Sequence, residues 1–344
     1  MTQITSAPDE VRAVGELKDK YSQLRKQLGG VIVGLDDVIE QAFIAILCRG
    51  HCILQGMPGL AKTMLISTLA SVLHLSFKRI QFTPDLMPAD ITGTDVLEED
   101  RTSGKRVFRF VKGPLFGNII LADEINRTPP KTQSALLEAM QERQLTIGGE
   151  TYPLPDPFFV LATQNPIEQE GTYTLPEAQL DRFLFMIQLT YPTLEQEIEV
   201  CKRVTTDYEF ETSHVFSVAD LLTAQKLIRS VPVADHVYTF AVQLARMTRP
   251  EEGRMPSDLA DMVQWGAGPR ASIYLLLAAK ARAILHGRFH ATTEDVQEVA
   301  LPVLRHRVIP TFNAEAAGIS NDRIVTRILE ELSKSDGRPF RKAK

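Results

Sequence analysis

The octapeptide Gly56-Met57-Pro58-Gly59-Leu60-Ala61-Lys62-Thr63 restricts this chain to a small set of folds. It follows a short apolar run, His51 to Gln55, and opens into Met64 to Ala70, which can wind as a helix. A strand, a glycine-containing turn, a Lys-Thr pair and a helix make a phosphate cradle. The turn's N–H groups and the positive end of the helix face an anion. Lys62 reaches the outer phosphates and the Thr63 hydroxyl ligates Mg²⁺, so these residues point to ATP or GTP. The fit has one flaw, because Ala61 stands where the usual pattern has a second glycine. Alanine is tolerable there with helical backbone angles and costly with positive φ. Alone, the stretch also reads as a Pro-Gly turn before an ordinary helix.

A second motif decides between these readings. Asn118-Ile119-Ile120-Leu121-Ala122-Asp123-Glu124 is an apolar strand ending in two adjacent acids. Ligands of open α/β sheets bind at the carboxyl ends of strands. Asp123 would hold Mg²⁺, directly or through water, and Glu124 would orient and polarise the attacking water. Phe158 to Thr163 is a further strand, followed by Gln164 and Asn165, whose amide could bond the γ-phosphate or the water. An Asx-type turn before Pro166 is the plainer use of Asn165. Arg182, just before the strand Phe183–Leu189, is a candidate for stabilising transition-state charge. An ion pair with Asp181 or Glu177 is its structural alternative. Arg270 opens a helix after Gly268-Pro269, where a cation opposes the helix dipole, which favours an anionic contact.

The strand candidates are His51–Gln55, Phe77–Phe82, Asn118–Ala122, Phe158–Thr163 and Phe183–Leu189. Helical patterns separate several of them, which predicts an α/β fold with a parallel sheet covered on both faces. Val11 to Gln27 and Leu35 to Cys48 read as helices ahead of the sheet. Gly93 to Gly113 forms two alternating arms around the polar turn Glu98–Lys105, and Leu145 to Tyr152 turns at Gly148-Gly149. A helix from Lys131 to Gln144 lies between these hairpins. After Tyr191-Pro192 the strands stop, which predicts a core over residues 1–190 and a smaller all-α domain over 191–344.

At 344 residues and 44% hydrophobic, the chain is long enough for two domains with real cores. Its net charge of −5 offers no bulk attraction to nucleic acid or an acidic membrane. No apolar stretch can span a bilayer, since Ile273 to Leu285 is broken by Lys280 and Arg282. The N-terminus lacks an apolar core, and Cys48, Cys52 and Cys201 have no metal-type spacing. A reducing, cytoplasmic location is the expectation. The basic tail, Arg338 to Lys344, reads as a solvated end.

Together these residues resemble an AAA+ ATPase of the MoxR family, from about Leu17 to about Gly318. The resemblance is carried by GMPGLAKT at Gly56–Thr63, FTPDLMPADITGT at Phe82–Thr94, ADEINR at Ala122–Arg127 and ATQNPIEQEGTYTLPEAQLDRF at Ala162–Phe183. GPRAS at Gly268–Ser272 and LRHRV at Leu304–Val308 add to it. Ala61 matches the family's own version of the loop. The resemblance implies a P-loop core with two hairpin inserts and a helical lid. Gly56 to Thr63 would be the Walker A loop, Asp123 and Glu124 Walker B, and Asn165 sensor 1. Arg182 would be the arginine finger and Arg270 sensor 2, with Val33 and Gly34 beside the adenine. Leu35 departs from the family's frequent Gly-Gln pair at Gly34-Leu35, favouring apolar contact. Thr174 stands where proline is common.

The resemblance further implies a homo-oligomeric ring, typically a hexamer, in which Arg182 serves the neighbour's ATP. It implies chaperone-like maturation of protein complexes, with von Willebrand factor A domain proteins as partners. A nucleic-acid motor is the first alternative, supported by Arg106, Arg109 and Lys112 on the first hairpin and opposed by the net charge. A nucleotide-dependent scaffold with little turnover is the second. It needs no water-activating acid, so Asp123, Glu124, Asn165 and Arg182 weigh against it.

Overall fold

The computed structural model describes residues 7–57, 59–99, 106–165 and 171–335. Pro58, residues 100–105 of the expected polar turn, Pro166 and the basic tail lie outside them. Two helices precede the sheet. Helix α1 (Ala7–Val31) turns Val14, Leu17, Tyr21, Leu24 and Leu28 into the core at helical spacing, and α2 (Asp36–Leu47) buries Val38 through Leu47 apart from Glu40 and Gln41.

Strand β1 (Cys52–Gln55), α3 (Lys62–Val72), β2 (Phe77–Gln81) and α4 (Pro88–Thr92) follow. The first hairpin pairs β3 (Gly93–Glu99) with β4 (Arg106–Lys112). Then come β5 (Ile119–Asp123), α5 (Pro130–Glu142), a second hairpin of β6 (Gln144–Ile147) and β7 (Glu150–Pro153), β8 (Phe159–Gln164), α6 (Glu177–Leu180) and β9 (Phe185–Gln188). Strands β2-β5-β8-β1-β9 lie in that order in one parallel sheet. Alternation sorts its side chains between two faces. Cys52 and Leu54 join the core shared with α1, α2, α3 and the later helices, whereas Ile53 joins the one packed on α5.

The register aligns the strand ends. Leu54 pairs with Thr163, Gln55 with Gln164, and Ala122 with Ala162, so Gly56, Asp123-Glu124 and Asn165 emerge along one edge. At the other edge Cys52 pairs with Phe185, and the Leu184 N–H donates to the His51 carbonyl at 2.8 Å. Arg49 to His51 and Arg182 to Leu184 therefore lie together at the opposite end of the same strands.

Helix α5 is shorter than the sequence predicts. It stops at Glu142, because Arg143 turns left-handed (φ 54°) and Gln144 already belongs to β6. Gly148 and Gly149, with φ of 60° and 87°, close the second hairpin in the two-residue turn that matches strand twist. The hairpins meet through Phe110 stacked on Tyr152 at 4.4 Å.

Beyond β9 the chain forms α7 (Leu194–Val204), α8 (Val218–Ser230), α9 (Asp235–Arg246), β10 (Val263–Trp265), α10 (Pro269–Leu285), α11 (Thr293–Leu304), β11 (Ile309–Pro310), α12 (Phe312–Ala316) and α13 (Asn321–Ser335). The expectation that strands stop after Tyr191 thus needs amending: β10 and β11 form a short antiparallel ribbon in a helical lid. The LRHRV segment ties the lid to the sheet. Buried Arg307 donates to the Asp181 and Phe183 carbonyls at 2.7 and 2.6 Å, and Arg305 donates to the Met186 carbonyl at 3.1 Å. No described helix is long and apolar enough to cross a membrane.

Candidate functional site: a phosphate cleft and an arginine cavity

A cleft of about 550 Å³ opens at the carboxyl edge of the sheet. Gly59, Leu60, Ala61, Lys62 and Thr63 line it from the loop, Asp123 and Glu124 from β5, and Thr163 and Asn165 from β8. The phosphate loop, the paired acids and Asn165, which the sequence scatters, therefore share one space. Beside it, across Gly59, Leu60, Ala61 and Met64, lies a second, largely apolar pocket of about 170 Å³. Val33, Gly34 and Leu35 line this pocket with Ile32, Tyr191 and Val200. Gly34 is at φ 75°, so its conformation calls for glycine, and a Cβ there would meet the movable end of the Gln196 side chain at 2.5 Å. A polar cleft joined to an apolar slot suits a nucleotide, phosphates in one and base in the other.

Ala61 answers the question its sequence position raised. It caps α3 with φ 52° and ψ 25°, the left-handed region, so the costlier alternative is the one the chain adopts. Helix α3 thus begins at the cleft, which Ala61, Lys62 and Thr63 line, and a helix start favours an anion. The Lys62 ammonium bonds the Gly56 carbonyl. Burial lowers its pKa, while the charges of Asp123 and Glu124 act in the opposite sense.

The acids are held by residues that the sequence reading passed over. Thr163 donates its hydroxyl proton to Asp123 Oδ1 at 2.7 Å and accepts the Glu124 N–H at 2.9 Å. Arg79 of β2 donates to Asp123 Oδ2 from Nη2 at 2.7 Å and from Nε at 3.1 Å. Gln81 donates from Nε2 to Glu124 Oε2 at 2.9 Å, and Arg127 pairs with the same oxygen at 3.1 Å. Glu124 is itself left-handed, at φ 58°. Every second residue of β2 faces the same side. This puts Arg79 and Gln81 beside the acids, a relation visible only once β2 is known to neighbour β5.

The residues present fit Mg²⁺. Among the described residues no group of three or more His, Cys, Asp or Glu is placed to hold a metal. One carboxylate and one hydroxyl, Asp123 and Thr63, do line the cleft. Mg²⁺ is commonly held in this way, its remaining positions taken by phosphate and water.

Arg182 and Arg270 lie elsewhere. Both line a cavity of about 200 Å³ at the amino edge of the sheet, together with Arg49, His51, Arg143 and Tyr274. The ion pair that was the structural alternative for Arg182 is absent among the described residues. Asp181 pairs instead with Arg270 at 2.8 Å and Arg307 at 2.7 Å, and Arg182 Nη1 donates to the Leu137 carbonyl at 3.3 Å. The Arg270 contact with an anion is thus met within the chain by Asp181.

Comparison with known proteins agrees with this architecture. Residues 51–185 match the ATPase family associated with various cellular activities (AAA), and residues 257–328 match the AAA lid domain. Chaperone MoxR1 of Mycobacterium tuberculosis is 43% identical over 88% of this chain and 79% of its own length. The uncharacterized protein YeaC of Bacillus subtilis is 42% identical over 89% of this chain and 92% of its own. A crystal structure from Cytophaga hutchinsonii, of a protein provisionally assigned as an ATPase, superposes with a TM-score of 0.85 at 44% identity, covering 93% of this chain and 96% of that one. With its phosphate loop, paired acids, hairpin inserts and helical lid, this chain belongs to the MoxR family of AAA+ ATPases.

Proposed function

We propose that the chain hydrolyses ATP to ADP and phosphate in a centre built between two copies, within a ring, typically a hexamer. The observation that carries this reading is the placement of the two half-sites. The phosphate loop leaves the carboxyl end of β1, and the arginine cavity opens at its amino end. Four residues of strand separate these ends by about 13 Å. Arg182 and Arg270 therefore lie away from the phosphate cleft of their own chain, which supports their serving the nucleotide of a neighbour. Such a head-to-tail contact closes into a ring when its rotation returns to the first copy.

In this centre Met57 and Gly59 to Thr63 wrap the phosphates, Lys62 contacts the outer ones, and Val33, Gly34 and Leu35 enclose the base. Thr63 and Asp123 hold Mg²⁺, which neutralises charge on the phosphates when bound. Glu124 takes a proton from the attacking water while Asn165 orients it. The new bond forms from the water oxygen to the γ-phosphorus, and the bond to the β–γ bridging oxygen breaks, leaving ADP. Arg182 and Arg270 of the neighbouring copy stabilise the charge on the transferred group.

The inserts supply the output. The strand carrying Arg79 and Gln81 runs on toward α4 and the first hairpin, and Thr132 of α5 donates to the Leu86 carbonyl at 2.7 Å along that path. A change at Glu124 or Asp123 thus has a path to the first hairpin through the hydrogen bonds to β2 and to the second through α5. We assign the work to remodelling a protein client in the cytoplasm, with a von Willebrand factor A domain protein as the partner class. The first hairpin exposes Leu97, Phe108 and Val111, apolar surface suited to a protein chain.

Mixing inactive subunits tests the shared centre. Lys62→Ala removes the phosphate contact and Arg182→Ala the neighbour's cation, and each protein alone should be inactive. Mixed rings should regain turnover where an intact loop meets an intact arginine. A mixture as inactive as its parts, with assembly intact, would refute the shared centre.

A further inference from the structure

The arginine cavity contains more charge than two catalytic arginines explain. Arg49, Arg143, Arg182 and Arg270 all line it, and Arg307 stands behind them against Asp181. Among the described residues, the carboxylates in reach are Asp181, shared by Arg270 and Arg307, and Asp156, which lies 3.0 Å from Arg49 and 3.9 Å from Arg143. Five guanidinium groups thus face two carboxylates. His51 adds no charge, since burial pushes its pKa down to about 3. Burial and then the charge of Arg49 lower the pKa of Arg143. Gathering like charges in a partly buried space is unfavourable unless an anion completes it.

We propose that Arg143 is a third arginine contacting the terminal phosphates of the nucleotide held by the neighbouring copy, alongside Arg182 and Arg270. This rests on the shared-centre reading above. Arg143 is positioned for the task. Its left-handed backbone closes α5, with its N–H bonded to the Ala139 carbonyl at 3.0 Å and its carbonyl accepting from Leu154 N–H at 2.9 Å. Its Nη2 donates to the Arg49 carbonyl at 2.6 Å. With Asp156 beyond hydrogen-bond distance, its remaining donors are left for the cavity. Arg49 and His51 act as positioning residues. Arg49 anchors Arg143, and His51, through Nε2, takes the Met140 carbonyl at 3.1 Å and so fixes the end of α5. Arg143 also directly precedes β6, so a phosphate that draws on its guanidinium pulls on the second hairpin.

The test uses full-length, assembled protein. Arg143→Ala should lower kcat at least tenfold while leaving fluorescent-nucleotide affinity within twofold, because its own loop is intact. Mixed with Lys62→Ala, it should regain about a quarter of wild-type turnover, the share of junctions that random head-to-tail pairing leaves complete. The Arg182→Ala and Lys62→Ala mixture runs in parallel. If that mixture recovers and the Arg143 mixture does not, the inference fails and the shared centre stands. If neither recovers, both fail. Unchanged kcat in Arg143→Ala also overturns the inference. Should that protein melt below the assay temperature, Arg143→Gln is read by the same criteria. A free anion is the other source of phosphate chemistry. Pyrophosphate that raises the melting temperature of dilute, unassembled Lys62→Ala only with Arg143 present, while Arg143→Ala leaves assembled turnover unchanged, would assign the cavity to a free anion and overturn the proposal.

Discussion

The phosphate cleft and the arginine cavity lie at the two ends of one strand and balance their charges differently. In the cleft, acids are tied to nearby cations and donors: Asp123 to Arg79 and Thr163, Glu124 to Gln81 and Arg127. In the cavity, guanidinium groups outnumber the carboxylates that reach them. The cleft pairs its charges within one chain, whereas the cavity leaves guanidinium groups in excess. In the proposed shared centre, the cavity of one copy supplies the cations that the neighbour's cleft lacks for the transition state.

Breaking the cavity half should have the largest effect. Arg182→Ala is expected to lower turnover by about 10³-fold, the scale for an arginine supplied in trans, with nucleotide binding by dilute subunits unchanged. Loss of binding in dilute subunits would place Arg182 on the nucleotide of its own chain. Breaking the cleft half at Glu124→Gln should cost about 10²-fold or more in turnover with ATP still bound, as expected for loss of a general base. ATP affinity falling with turnover would give Glu124 a binding role instead.

Two smaller effects sharpen the contrast. His51 walls the arginine cavity as a neutral ring, accepting the Val160 N–H at Nδ1 (3.0 Å) and donating from Nε2 to Met140. Its folded pKa of about 3 lies below the ordinary 6.5. The unfolded chain therefore binds the proton more readily between these values. The His51 contribution is fully present above pH 6.5 and is lost as pH falls toward 3, by at most about 1.4 kcal/mol per pH unit. Urea unfolding at pH 7 and pH 5 should show this slope, and His51→Asn should flatten it. An unchanged slope would mean that other groups set the acid sensitivity. In the cleft, Ala61→Gly should relieve left-handed strain and stabilise the protein by up to about 1 kcal/mol, partly offset by the freer unfolded chain. Thermal melting checks it, and a lowered midpoint would show that alanine is tolerated there without strain.

The cleft was far more legible in the sequence than the cavity. Gly56–Thr63, Asp123-Glu124 and Asn165 each end or follow an apolar run, so local pattern placed them at strand ends. Parallel register then brought them together. Arg79 and Gln81 were hidden because β2 borders β5 only through a crossover that no local signal specifies. Arg143 was concealed for a different reason. Helical propensity carried the predicted helix through to Gln144, and tertiary structure overrode it with a left-handed residue. Arg49 lies between a helix and a strand, where no local pattern marks a single charge. The short β10–β11 ribbon escaped because Val263-Gln264-Trp265 and Ile309-Pro310 are too brief to show alternation.

The central claim, that each chain holds half of two different centres, is tested most directly by turnover per subunit across a dilution series, with assembly state measured in parallel by light scattering. Turnover should fall steeply as rings dissociate, while bound nucleotide per subunit stays nearly constant. Turnover per subunit that holds steady into clearly monomeric solution would contradict the account.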